Sequence, residues 1–213
     1  VKVKTSPPRV PYRETVTRMV ETRYRHKKQS GGAGQFGEVA LRVEALERGA
    51  GFEFVDEVVG GAIPGQFIPA VEKGVRQVLA DGAIAGFPVQ DVQVTVYDGK
   101  THPVDGKEIA FITAGRKAFL DAIAKARPIV LEPIVKLELT VPQSAIGQVS
   151  IELPSRRGQV SGSSAARAGM VTVQGRAPLA ELDDFAVRLK SITAGQGSFT
   201  LELHDYEEAP PAA

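Results

Sequence analysis

Apolar and polar residues alternate along much of the chain, and the alternation gives way in places to the wider apolar spacing of a helix. Residues 12–28 predict one strand, with Val16, Arg18, Val20, Thr22 and Tyr24 on one face. The other face carries Thr17, Met19, Glu21, Arg23, Arg25 and Lys27. Phe36 to Leu46 and Phe52 to Val58 follow as strands, joined by a turn around Gly49-Ala50-Gly51. Ile68, Val71, Val75, Val78 and Leu79 recur at helical spacing and predict a helix from about Gln66 to Ala80. Pro69 fits its first turn and Gly82 its stop. Val92, Val94 and Val96 mark a half-buried strand, after which Asp98 to Val104 reads as a loop. A second helix begins after Asp105, with Glu108 at capping-box spacing, and ends near Lys125, ahead of Pro128.

From residue 129 the pattern becomes more regular. Val135, Leu137, Leu139 and Val141 alternate with polar residues, and Ile146, Val149 and Leu153 mark a short helix. Strands over Gly158–Ala166 and Met170–Ala177 flank a tight turn at Arg167-Ala168-Gly169. Leu179, Leu182, Ala186, Leu189 and Ile192 predict another helix, and Phe199 to Tyr206 a last strand. The order is βαββαβ, the ferredoxin-like plan. The expected class is therefore α+β with two domains, 1–128 and 129–207, and a tail over 208–213. Residues 1–11 hold three prolines and read as an extended lead-in.

Composition narrows the chemistry. The 213 residues suffice for one large domain or two small ones. Hydrophobic content of 43% and charged content of 24% are those of an ordinary globular protein. No apolar run is long enough to span a bilayer, so no membrane partner is expected. Absence of cysteine excludes disulfides, thiolate metal sites and cysteine nucleophiles. The three histidines are scattered without zinc-ligand spacing. With a net charge of +1, any basic binding surface must be local. The start, Val1-Lys2-Val3-Lys4, has neither an initiator Met nor a signal-peptide core and reads as a cut inside a longer gene product.

The densest basic run, Arg23 to Lys28, leads into a glycine-rich loop, Gln29 to Gln35. Gly32 and Gly37 have the spacing of a phosphate loop, but Glu38 and Val39 stand where lysine and Ser/Thr are required. A carboxylate there would repel phosphates, and the loop leads into a strand, so no helix N-terminus meets the anion. What remains is a connection that uses glycine's freedom, or a close approach to an RNA backbone. In the second case Lys28 would supply a phosphate contact, Gln29, Ser30 and Gln35 hydrogen bonds, and Gly31 and Gly32 the clearance. His102, with Lys100 two residues earlier, lies in the next loop with no orienting acid and nucleophile around it. It is an ordinary exposed histidine or an RNA contact. Arg156 and Arg157 form a basic turn after a helix, either a phosphate clamp or a charge complementing the helix end. No catalytic, metal-binding or cofactor-binding residue is assigned. Acylphosphatases share the ferredoxin-like plan, but Thr140-Val141-Pro142-Gln143-Ser144 lacks the Arg and Asn that their first strand–helix loop needs.

Taken in order, these stretches resemble the fourth and fifth domains of bacterial translation elongation factor G. The matching segments are Pro11–Thr15, Lys28–Gly37, Gly51–Phe54, Val59–Pro64, Gly86–Val89, Tyr97–Gly99, Ile129–Ile134, Arg156–Val160 and Gly197–Phe199. The resemblance implies a first domain like the second domain of ribosomal protein S5, with a left-handed crossover, and a ferredoxin-like second domain. It implies that loops 28–35 and 98–105 form a tip entering the small-subunit decoding region, with His102 at the family's tip histidine. The implied partners are the ribosome, through 16S and 23S RNA and the A-site tRNA–mRNA, and N-terminal GTPase domains in cis. GTP and Mg would be bound there, and this segment would hold no cofactor and perform no catalysis. A monomeric, cytoplasmic protein promoting tRNA–mRNA translocation is expected, or a paralogue acting in ribosome recycling or protection. Departures from the family pattern are Ala33 for a usual Arg, Glu38 for His, Gln196 for a basic residue and Gly106 for Ser.

Overall fold

A computed structural model of the chain describes residues 9–29 and 32–211. Contacts divide it into two compact units, Tyr12–Leu131 and a second from Glu132 onward, with residues 9–11 grouping with the second.

The first unit begins with strand β1 (Arg13–Thr15) and continues through β2 (Val20–Lys28), β3 (Gln35–Ala45) and β4 (Phe52–Asp56). Helix α1 (Ile68–Asp81), strand β5 (Val92–Lys100) and helix α2 (Glu108–Lys125) complete it. Its four-stranded sheet has the order β2-β3-β5-β4. β4 and β5 are parallel neighbours, so the connection through α1 is a crossover. The alternating valines are what make the sheet bury one face. Val39, Leu41 and Val43 of β3 and Val92, Val94 and Val96 of β5 join Val71 and Val75 of α1 and Phe111, Ala114, Ala118 and Phe119 of α2 in one core.

Three expectations change here. Residues 12–28 are not one strand: the chain leaves β1 at Val16 and starts β2 at Val20. Between them the Thr17 and Arg18 amides both donate to the Ala126 carbonyl, and the Arg18 guanidinium donates to that of Lys125. Satisfying the open end of α2 takes precedence over continuing the strand. Asp98, Gly99 and Lys100 belong to β5, paired with Ala40, Val39 and Glu38, so the loop begins only at Thr101. The capping box is not made, because Lys107 is the N-cap of α2 and no side chain caps it.

The second unit is carried by strand β6 (Ile129–Pro142), helix α3 (Ile146–Ser155), β7 (Gln159–Ala165), β8 (Met170–Pro178), helix α4 (Phe185–Ile192) and β9 (Ser198–Glu208). The first three residues of β6 pair with β1, and Ile134–Pro142 pair antiparallel with β8. β7 and β9 complete the order β9-β6-β8-β7 expected of a ferredoxin-like sheet. Val135, Leu137, Leu139 and Val141 are buried against Val149, Leu153, Phe185 and Leu189, while Lys136 and Glu138 stay exposed. The helix expected over Leu179–Ile192 resolves into a single 3-10 turn, Leu179–Glu181, and the shorter α4.

Candidate nucleic-acid interface

Two connections meet at one end of the first unit: the β2–β3 loop (29–34) and the β5–α2 loop (101–107). The ladder carries Lys28 opposite Gln35 to the root of the first loop. One residue on, the Phe36 amide donates to the Asp105 carbonyl at 2.7 Å, and Phe36 bridges to Gly106. The Phe36 and His102 rings lie 6.2 Å apart, tilted by 55°. The two loops approach closely enough that a Cβ at Gly34 would displace the Asp105 carboxylate. The two loops are thus one surface. Ser30 and Gly31 lie outside the described residues.

His102 is half exposed. Its Nδ1 accepts from the Val104 and Asp105 amides at 3.3 and 3.2 Å and lies 3.6 Å from the Asp105 carboxylate. Those bonds assign the neutral ring's hydrogen to Nε2, which stays available as a donor. Lys28, Gln29 and Lys100 are exposed nearby, and neither lysine forms an ion pair among the described residues. Gln35 is less free, because its amide oxygen lies 2.9 Å from His26 Nε2.

The basic run is not uniformly available. Glu38, on β3 with its side chain 3% exposed, takes Arg23 Nη1 on one oxygen at 2.8 Å and Arg25 Nε on the other at 2.5 Å. Arg23 also pairs with Asp98 of β5. Burial pushes the Glu38 carboxyl up, but hydrogen bonds from Arg23 and Arg25 outweigh it and hold the group below the usual carboxylate range. The Arg23 hydrogen bond likewise holds Asp98 low. The residue that spoils the phosphate-loop spacing is thus a buried counter-ion to two arginines.

Arg156 and Arg157 belong to the second unit and are committed there. Arg156 bonds Glu152 at 2.9 Å, Asp184 at 2.6 Å and the Glu181 carbonyl at 2.7 Å, with its guanidinium 5.5 Å from the Phe185 ring centroid. Arg157 grips the nearly buried Glu132 with Nη1 and Nη2 at 2.6 and 2.8 Å and reaches Glu181 through Nε at 2.9 Å. It adopts a left-handed φ of 57° just past α3, a conformation usually left to glycine. The Glu132 and Glu181 hydrogen bonds outweigh burial and raise its pKa well above the ordinary arginine value. Hydrogen bonding at all three guanidinium nitrogens makes Arg157 a clamp within its own unit.

Glu14 is a structural residue that the sequence did not single out. It is fully buried, and its carboxylate accepts from the amides of Ala83, Ile84, Ala85 and Phe87 at 2.7–3.1 Å. Its place in the resembling stretch Pro11–Thr15 was the available signal. Among the described residues no cluster of His, Asp or Glu could hold a metal ion, and no helix is long and apolar enough to cross a membrane.

The fold defines a two-unit α+β protein, in which a ferredoxin-like unit follows a unit with a crossover and a two-loop tip. Comparison with known proteins agrees: the family model for elongation factor G domain IV matches residues 8–127, and that for the elongation factor G C-terminus matches 129–213. The chain belongs to the elongation factor G family. It is 46% identical over 211 residues to an elongation factor G-like protein of Thermotoga maritima, covering 99% of this chain and 31% of that protein. A crystal structure of a protein from Thermus thermophilus superposes with a TM-score of 0.88 at 38% identity, over 97% of this chain and 31% of that one. The chain therefore spans about a third of the length of these relatives.

Proposed function

We propose that this chain is the ribosome-contacting part of a cytoplasmic translational GTPase and promotes tRNA–mRNA movement by placing its tip in the decoding A site. The observation that carries this reading is the junction of the loops at 29–34 and 101–107, tied by the Phe36–Asp105 hydrogen bond and the Phe36–His102 contact. Lys28, Gln29, Lys100 and the Nε2–H of His102 present donors suited to RNA phosphates, bases and 2′-hydroxyls, with Gly32 allowing close approach. Binding energy is the contribution of this segment. The tip stabilises the arrangement in which tRNA and mRNA have moved, and direction comes from GTP hydrolysis elsewhere in the protein. The arginine pairs of Glu38, which stands where a phosphate loop has its lysine, support the reading that GTP and Mg are bound elsewhere in the protein.

The test uses the full-length protein on ribosomes. His102→Ala is expected to slow single-turnover translocation by about tenfold or more, the loss of about 1.4 kcal/mol of interaction, with GTP hydrolysis nearly unchanged. Normal translocation by this variant would remove the tip assignment.

A second reading, a paralogue acting in recycling or ribosome protection, is favoured by one observation. Glu38 and Asp98 offset Arg23 and Arg25, which thins the basic surface behind the tip. Subunit splitting with a recycling factor, in the absence of translocation, would select it.

A further inference from the structure

The ion-pair array on β2, β3 and β5 is not among the contacts that join the tip loops, yet it lies on the strands that lead into them. Glu38 stands directly opposite Arg25 on β2 and Lys100 on β5, while Arg23 and Asp98 face each other across Ala40. All of these share one face of the sheet, because cross-strand partners project to the same side. A carboxylate presenting two oxygens to two guanidinium groups makes the charge-assisted hydrogen bonds that a phosphate would make. Glu38 does so from within the sheet, 3% exposed, beneath arginines that are 43% and 57% exposed. A phosphate competing for both arginines would strand Glu38 as a buried charge, which is strongly unfavourable. Outside the array, Lys27, Lys28 and Lys100 are exposed and form no ion pair among the described residues.

We propose that Glu38, assisted by Asp98, acts as a built-in phosphate surrogate that withholds Arg23 and Arg25 from RNA. Affinity is then set by the tip loops and by Lys27, Lys28 and Lys100, and indiscriminate binding to RNA backbone is kept low. This inference rests on the RNA-facing reading of the tip. Glu38 is a specificity-determining residue that acts through the arginines it holds and touches no RNA itself.

The experiment titrates a fluorescein-labelled RNA hairpin with this chain between about 50 and 200 mM salt. Glu38→Gln frees Arg25 and leaves Arg23 held by Asp98 alone, and should bind about three- to tenfold tighter at low salt, with a salt slope steeper by about one. Asp98→Asn, which leaves the buried carboxylate in place, should give a smaller gain through Arg23 alone. Adding Arg23→Gln and Arg25→Gln to Glu38→Gln, which leaves no buried charge unpaired, should abolish the gain. Thermal melts confirm that each variant is folded. No gain in folded Glu38→Gln overturns the proposal, as does a gain that persists when Arg23→Gln and Arg25→Gln are added to it. Lys27→Gln and Lys28→Gln report on the tip reading separately. If they leave RNA binding intact, the tip is not an RNA surface, whatever Glu38 does.

Discussion

Glu14, Glu38 and Glu132 are nearly or fully buried, and each is compensated by a different means. Glu14 uses four backbone amides, Glu38 two arginines from the neighbouring strand, and Glu132 one bidentate arginine. Glu14 carries the clearest stability consequence, because removing it leaves the donors of the 83–87 loop without their acceptor. Glu14→Ala is expected to cost at least about 3 kcal/mol, and Glu14→Gln roughly half of that. Urea unfolding would show it as a lower midpoint at unchanged slope. The family-like stretch Pro11–Thr15 pointed to Glu14 without showing its partners, which lie 69 to 73 residues away. Nor did the basic run of residues 23–28 reveal that Arg23 and Arg25 meet a carboxylate across the strand. An unpaired reading of charge overstates what is free to bind.

At the scale of elements, α1 and α2 approach through glycines. A Cβ on Gly74 would enter the Ile112 carbonyl, and one on Gly115 would lie 2.8 Å from the Val71 carbonyl oxygen. Neither clash involves a flexible side chain that could move aside. Gly74→Ala should therefore destabilise the first unit by about 1–3 kcal/mol through overpacking. That loss outweighs the gain of about 1 kcal/mol that alanine brings to a free helix. A higher denaturation midpoint in the variant would contradict this packing. Periodicity located α1, and start and stop signals located α2, but neither carried information about which face needed to be smooth. The alternation over residues 12–28 misled in a related way. It runs on through Thr17-Arg18-Met19, and only the open carbonyls at Lys125 and Ala126 break it.

Across the whole molecule, the carboxylates held low recur in both units. In the first unit, burial raises Glu38 and the arginine bonds lower it further, while Asp98 is lowered by Arg23. In the second, burial raises Glu152, and Arg188 and Arg156 lower it by more; Asp184 is lowered by Arg156. A carboxyl with a depressed folded pKa binds its proton more readily when unfolded. Its stabilisation is therefore complete above the unfolded value, near about 4, and is lost as pH falls through the folded one. The melting temperature should be level from neutral pH down to about 5 and then drop steeply, with a shallower drop in Glu38→Gln. A melting temperature that rose below about pH 4 would contradict these pairings.

Sequence alone determined the class and order of the elements, because the period of apolar residues reports which face of a strand or helix is buried. It also carried the family, through short segments matched in order over nearly the whole chain. Tertiary structure decided which charges are available, because pairing depends on which strands become neighbours. It paired Arg156 and Arg157, candidate phosphate contacts in the sequence, with Glu132, Glu152, Glu181 and Asp184. It also brought the loops at 29–34 and 101–107, far apart in the chain, onto one tip through the amide of Phe36 and the carbonyl of Asp105.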